Sequence, residues 1–127
     1  MKVTVVYSGK RGNSCFGKME FPLGTDLTAE SLKLVLRAAG TASKYHGVPA
    51  GKSALVTVLA GRLDVFVDDG NGQEVKQSFR PGDLILFQDD FAGVAEGVKT
   101  GHRSAVGAED VLQTATILSQ RFTVLTA

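Results

Sequence analysis

The chain has two histidines, His46 and His102, among its 127 residues. Histidine is the side chain whose ordinary pKa of ~6.5 lets it both take and give a proton near neutrality. A pair of them can serve as acid and base where their surroundings make them behave differently. Gln88, Asp89 and Asp90 end the apolar run LILFQDD ahead of His102. Asp90 is read as the carboxylate that orients an imidazole or takes its proton. Asp89 is read as turn chemistry, because aspartates in loops commonly bond local backbone. Tyr45 offers an amphipathic ring at a rim. Gln88 and Glu96 are read as substrate contacts, Glu96 from the glycine-bearing run FAGVAEGVK that can fold over a pocket mouth. Taken singly, either histidine serves as well as a loop residue bonded to backbone.

Other motifs carry less. AGKSA contains Gly-Lys-Ser, but the leading glycine of a phosphate loop would fall at His46, and no βαβ context surrounds it, so nucleotide binding is rejected. The single Cys15 rules out an internal disulfide and has no neighbour that would activate a thiol, so its default is a buried inert group. A formal net charge of +1 gives no electrostatic footprint for nucleic acid or an anionic membrane. The opening MKVTVVYSGK lacks the apolar core of a secretory signal, and no run approaches the ~20 apolar residues of a bilayer span. The expected location is cytoplasmic.

The elements that must hold these residues are short. Hydrophobic residues make up 43% and charged residues 21%, as in an ordinary soluble domain. The 15 glycines and 3 prolines punctuate short apolar runs, which favours an all-β chain. KVTVVYS, CFGKMEFPL, SALVTVLAG, RLDVFVDDG, EVKQSF, LILFQ, QTATILSQ and RFTVLTA read as strands. DLTAESLKLVLRAAG is read as a turn followed by a strand, since Leu32, Leu34 and Leu36 recur at period two; a helix capped by Asp26 or Thr28 is the rival reading. DDGNGQ is hairpin chemistry and RPGD a tight turn, with Asp83 structural. The sum is roughly nine or ten strands, a single domain over residues 1–127 and a sandwich or barrel. The turn from Asp69 to Gly72 should be exposed, and Leu84 and Leu86 buried. A homodimer is expected, because small β-barrels often pair free strand edges across a two-fold axis; the terminal runs KVTVVYS and RFTVLTA are the expected edges.

The ordered set LAGRLDVFVDDGNGQEVKQSFRPGDLILF followed by GH resembles the cupin superfamily of small β-barrels. Gly61, Pro81, Gly82, Asp83 and His102 stand where that family has its hairpin glycine, its PGD turn and its later histidine. YHGVPA and QDDFAGVAEGVKTGH resemble the segments flanking the hairpin in a small single-domain subgroup. The resemblance implies an all-β, single antiparallel β-barrel or jelly roll in which His46 and His102 face one cavity. It also shows departures. Metal-binding cupins supply His-x-His and a glutamate before the hairpin, and about those places this chain has Gly47, Pro49 and Ala54, none of which can ligate.

The reading favoured is therefore a small-molecule enzyme of isomerase, cyclase or dehydratase type, with His46, His102 and Asp90 as its acid–base groups and no cofactor. One alternative is a metal enzyme holding Fe(II) or Mn(II) with His46, His102 and Asp90 or Glu96, a chemically adequate set. The other is a barrel that binds or stores a small molecule without reaction. The expected partner is a small-molecule ligand, with no nucleic acid and no membrane.

Overall fold

The computed structural model describes residues 1–90 and 100–125; Glu96 and the run around it lie outside the described residues. Among the described residues nine strands form: β1 (Lys2–Ser8), β2 (Ser14–Glu20), β3 (Ala29–Arg37), β4 (Ser53–Ala60), β5 (Leu63–Asp68), β6 (Glu74–Phe79), β7 (Leu84–Gln88), β8 (His102–Val106) and β9 (Val111–Leu118). Among the described residues no helix is long and apolar enough to cross a membrane. The strands make a six-stranded sheet, β2-β1-β7-β4-β9-β3, and a three-stranded sheet, β6-β5-β8. Pairing is antiparallel except between β1 and β7.

Apolar side chains collect on both faces of the large sheet. Between the sheets lie Val6, Val56, Val58, Leu63, Val65, Ile85, Phe87 and Val111. On the outer face Val3, Val5, Met19, Phe21, Leu86 and Leu118 form a second cluster. Residues 119–125 cover it. Phe122 packs edge-on against Phe21 at 5.1 Å, and the Leu125 amide donates to the Lys18 carbonyl at 2.8 Å. RFTVLTA is thus an irregular cover in its described part, not a strand. Burial on two faces explains why LILFQ shows no alternation: Ile85 and Phe87 point between the sheets, and Leu86 points under the cover. Leu86 is fully buried as expected, whereas Leu84 is half-buried.

The ambiguous segment is a strand, β3, and its period of two is real. Leu32, Leu34 and Leu36 stand opposite Thr116, Thr114 and Leu112 of β9. Their face, however, is not core: they are 67%, 69% and 79% exposed. Among the described residues the free edges of the large sheet are β2 and β3. The expectation that the terminal runs are edges is therefore corrected, since β1 lies between β2 and β7 and residues 119–125 form no strand.

The turns follow side-chain chemistry. In the β5–β6 hairpin, Asp68 Oδ1 accepts the Gly70 amide at 2.7 Å and Asp69 Oδ1 accepts the Asn71 amide at 2.7 Å. Asp69, Asn71 and Gly72 are exposed, but Gly70 is buried because Arg11 reaches across to its carbonyl at 2.8 Å. In the RPGD turn, Asp83 Oδ2 accepts the Arg80 amide at 2.8 Å, a structural role.

Candidate active site

The strand β7 carries the first part of the site. Its parity sends Phe87 between the sheets and Gln88 to the outer face. There Gln88 makes paired bonds with the Phe122 backbone, donating from Nε2 to the carbonyl at 2.9 Å and accepting the amide at 2.6 Å. The next residue, Asp89, turns inward again. Asp89 is 0% exposed, and its Oδ2 accepts from Ser14 Oγ at 2.7 Å. The same oxygen is 2.7 Å from His102 Nδ1. Its other oxygen, Oδ1, is buried with no hydrogen-bond partner among the described residues. The Asp89 carbonyl accepts the Val48 amide at 2.8 Å, which ties the strand end to the segment bearing His46.

That segment, residues 40–46, runs antiparallel along the edge of β8. The Ser43 amide donates to the Ser104 carbonyl, and His46 and His102 exchange backbone bonds of 2.9 and 2.8 Å. The ladder brings the imidazoles together, with ring centroids 4.4 Å apart and planes 57° apart. Gly101 permits this approach. Its φ is +79°, and a Cβ there would overlap the carbonyl of His46. Phe87 stacks on His102 at 4.0 Å with an interplanar angle of 24°. His102 is buried, while His46 is exposed at the mouth, with Nδ1 2.9 Å from the Lys44 carbonyl.

Both histidines line a cavity of about 560 Å³ between the sheets. Ala54, Val56, Leu63, Phe87, Ala115 and Ile117 give it apolar walls, and Arg37, Ser104 and Gln113 supply polar groups. This matches the ordinary form of a small-molecule site.

Of the remaining residues singled out by sequence, Asp90 turns to Arg121, with Oδ2 3.2 Å from Nη1. Tyr45 donates to Glu74, beside an Arg103–Glu74 ion pair at 2.6 Å, and is not among the residues lining the cavity. Burial and the Glu74 contact push its phenol up to about 12, which keeps it protonated. Glu96 lies outside the described residues. The structure thus brings together His46, His102 and Asp89, and sets Asp90, Gln88 and Tyr45 elsewhere. Sequence reasoning set Asp89 aside as a turn residue and missed Ser14, Arg37 and Gln113. The usable signal for Asp89 was parity with Phe87; nothing local marks the other three. Cys15 is half-buried rather than buried, and that burial pushes its thiol up.

Among the described residues the ligand set for Fe(II) or Mn(II) is incomplete, and Glu96 lies outside them. Positions 47, 49 and 54 carry glycine, proline and alanine. Among the described residues no three of His, Cys, Asp and Glu gather as a ligand set. Both Nδ1 atoms are engaged, one by Asp89 and one by the Lys44 carbonyl, which leaves Nε2 of each ring unengaged by these contacts.

No family model matches the chain, and no curated protein matches it. Solved structures do. ChmJ, a 3'-monoepimerase from Streptomyces bikiniensis, aligns at a TM-score of 0.50 and 14% identity, over 94% of this chain and 63% of that one. The dTDP-6-deoxy-D-glucose-3,5-epimerase RmlC of Legionella pneumophila aligns at 0.49 and 15%, over 97% and 74%. Peruvianin-I, a cysteine peptidase from Thevetia peruviana latex, aligns at 0.47 and 19%, over 76% of this chain; this chain spans 54% of its length. The fold is an all-β jelly roll of two sheets, similar to that of ChmJ.

Proposed function

We propose that the cavity is the active site of a small-molecule isomerase or lyase that moves a proton with His102 and uses no metal. The observation that carries this reading is the buried contact of 2.7 Å between His102 Nδ1 and Asp89 Oδ2. A carboxylate only accepts, so the shared hydrogen sits on Nδ1, and neutral His102 holds its lone pair on Nε2. The ring nitrogen left for the cavity is then the basic one. When Nε2 takes a proton, Asp89 stabilises the imidazolium in a site that water reaches poorly. Ser14 fixes the carboxylate, and Phe87 fixes the plane of the ring. His46, at the mouth, is the exposed partner that exchanges protons with solvent. The likeness in fold to a 3'-monoepimerase is compatible with this chemistry, although fold alone does not give function.

The test is deuterium incorporation from D2O into small carbonyl compounds bearing an acidic C–H, read by mass spectrometry. His102→Gln should lower exchange by about 10²–10⁴-fold, the usual weight of a general base. Asp89→Asn should fall nearly as far with the fold intact, because the ring loses its orienting charge. Exchange at the wild-type rate in His102→Gln would remove the basis of the reading.

The reading includes a homodimer. The exposed leucines of β3 stand on a free edge of the large sheet, the kind of edge that soluble proteins usually cover. Sedimentation at micromolar concentration should give twice the chain mass, and Leu34→Lys should return it to one; a monomer in the unaltered protein would count against the dimer.

A further inference from the structure

Resting on the reading of this cavity as a substrate site, we propose that its ligand is a small carboxylate carrying a hydrogen-bond donor, held by Arg37 and Gln113. Arg37 ends β3 and points across the open side of the cavity toward β8. Its Nη1 donates to Ser104 Oγ and its Nη2 donates to the Ser104 carbonyl at 3.3 Å. Among the described residues that line the cavity it is the only Lys, Arg, Asp or Glu. No carboxylate pairs with it among the described residues, whereas Arg62 pairs with Asp64, Arg103 with Glu74 and Arg121 with Asp90. Partial burial pulls its guanidinium below the usual arginine range, so an anion brought beside it would be favoured. An unmatched cation in a cavity wall is a desolvation cost that a ligand anion would offset.

A second, independent observation lies one strand away. Gln113 of β9 stands opposite Val35, on the cavity side of the sheet. It is 8% exposed, and its Oε1 is buried with no hydrogen-bond partner among the described residues. A buried acceptor left unmatched is destabilising, and a donor on the ligand, a hydroxyl or an amine, would relieve it. One planar guanidinium fits one carboxylate through its fork and matches a single negative charge. A phosphate dianion would bring a second charge that no other Lys or Arg among the described lining residues meets. Ser104, which Arg37 contacts, follows His102 by two positions on the same face of β8. The anion end would therefore sit roughly 7 Å from the imidazole, about the span of a short hydroxy acid. Phe87, Val56 and Ile117 would take its apolar part.

Mandelate is a suitable probe, with a carboxylate, an adjacent hydroxyl and an apolar ring. Binding would be followed by calorimetry and by the shifts of the two imidazoles in NMR spectra. Mandelate should bind with saturable shifts of His102, and neutral mandelamide should bind at least tenfold more weakly. Phenyl phosphate, the other anion chemistry, should also bind more weakly than mandelate. Arg37→Gln should weaken mandelate at least tenfold while leaving mandelamide unchanged, and Arg37→Lys should recover part of the loss, which guards against a folding defect. Gln113→Leu should weaken mandelate but not phenylacetate, which lacks the hydroxyl. His102→Gln should still bind mandelate, so failure of the proton-transfer reading would leave this one standing. Equal binding of mandelate and mandelamide, tighter binding of phenyl phosphate, no binding of mandelate, or indifference to Arg37→Gln would each overturn it.

Discussion

Replacing Gly101 with alanine is expected to destabilise the protein by about 2–4 kcal/mol and to separate the two histidines. Two effects add. The residue holds φ +79°, a conformation that costs an L-residue with a Cβ roughly 1 kcal/mol. Steric overlap costs more: the new Cβ would run into the backbone carbonyl of His46, and backbone cannot rotate away as a side chain can. Relief requires breaking the exchanged bonds of 2.9 and 2.8 Å between His46 and His102. Gly72 supplies the control. Its φ is +83°, but nothing lies within 4 Å of a Cβ built there, so Gly72→Ala should suffer only the backbone strain. Urea unfolding of the two variants separates strain from overlap. Equal midpoints would show that the His46 carbonyl yields without cost. In Gly101→Ala the imidazole resonances should also move, since the rings would no longer lie 4.4 Å apart.

Much of this architecture was legible in the sequence, for reasons that particular residues make plain. Asp-Gly, Asn-Gly and Pro-Gly-Asp fix turns through local chemistry, so the β5–β6 hairpin and the turn into β7 could be placed from residue type alone. The period of two in SLKLVLR identified β3 correctly against its helical rival. What the pattern could not show is where an apolar face goes. Leu32, Leu34 and Leu36 look like core and stand in solvent. RFTVLTA looks like a strand, but its described part is an irregular cover whose Phe122 packs on the outer apolar cluster of the large sheet.

The placement of residues around the cavity differs from the sequence reading for the same reason. Gln88 and Asp90 share one parity, and Phe87 and Asp89 share the other. Sequence reasoning placed the first pair at the mouth, but the cavity face belongs to the second. LILF is apolar on both sides, so alternation could not say which side faces inward. That depends on residues 119–125 folding back over Leu86 and occupying Gln88, a contact between positions more than thirty residues apart. Arg37 and Gln113 were invisible for a similar reason. Each is an ordinary polar residue on its own strand, and only the β3–β9 pairing brings both to one cavity wall.

The second large effect is expected at His102. His102→Phe keeps the ring, its volume and its stacking on Phe87, so packing changes little. It removes the partner of Asp89. The carboxylate, 0% exposed, would keep only the Ser14 hydroxyl at 2.7 Å on Oδ2 and nothing on Oδ1 among the described residues. Breaking one side of a buried charged pair costs about 3–5 kcal/mol, because the remaining charge stays desolvated. Removing that charge should then restore stability. Asp89→Asn in the same background leaves a neutral amide that can still accept from Ser14, so the double variant should be more stable than His102→Phe alone by at least half of the loss. Asp89→Asn by itself should cost only about 1–2 kcal/mol, since His102 can remain neutral beside an amide. The four proteins make a double-mutant cycle, and denaturant midpoints at neutral pH supply its corners. A coupling near zero, with the double variant no more stable than the single, would mean that Asp89 and His102 do not hold one another as the 2.7 Å contact implies. Proton transfer by His102 would then lose its orienting carboxylate, whatever the cavity binds.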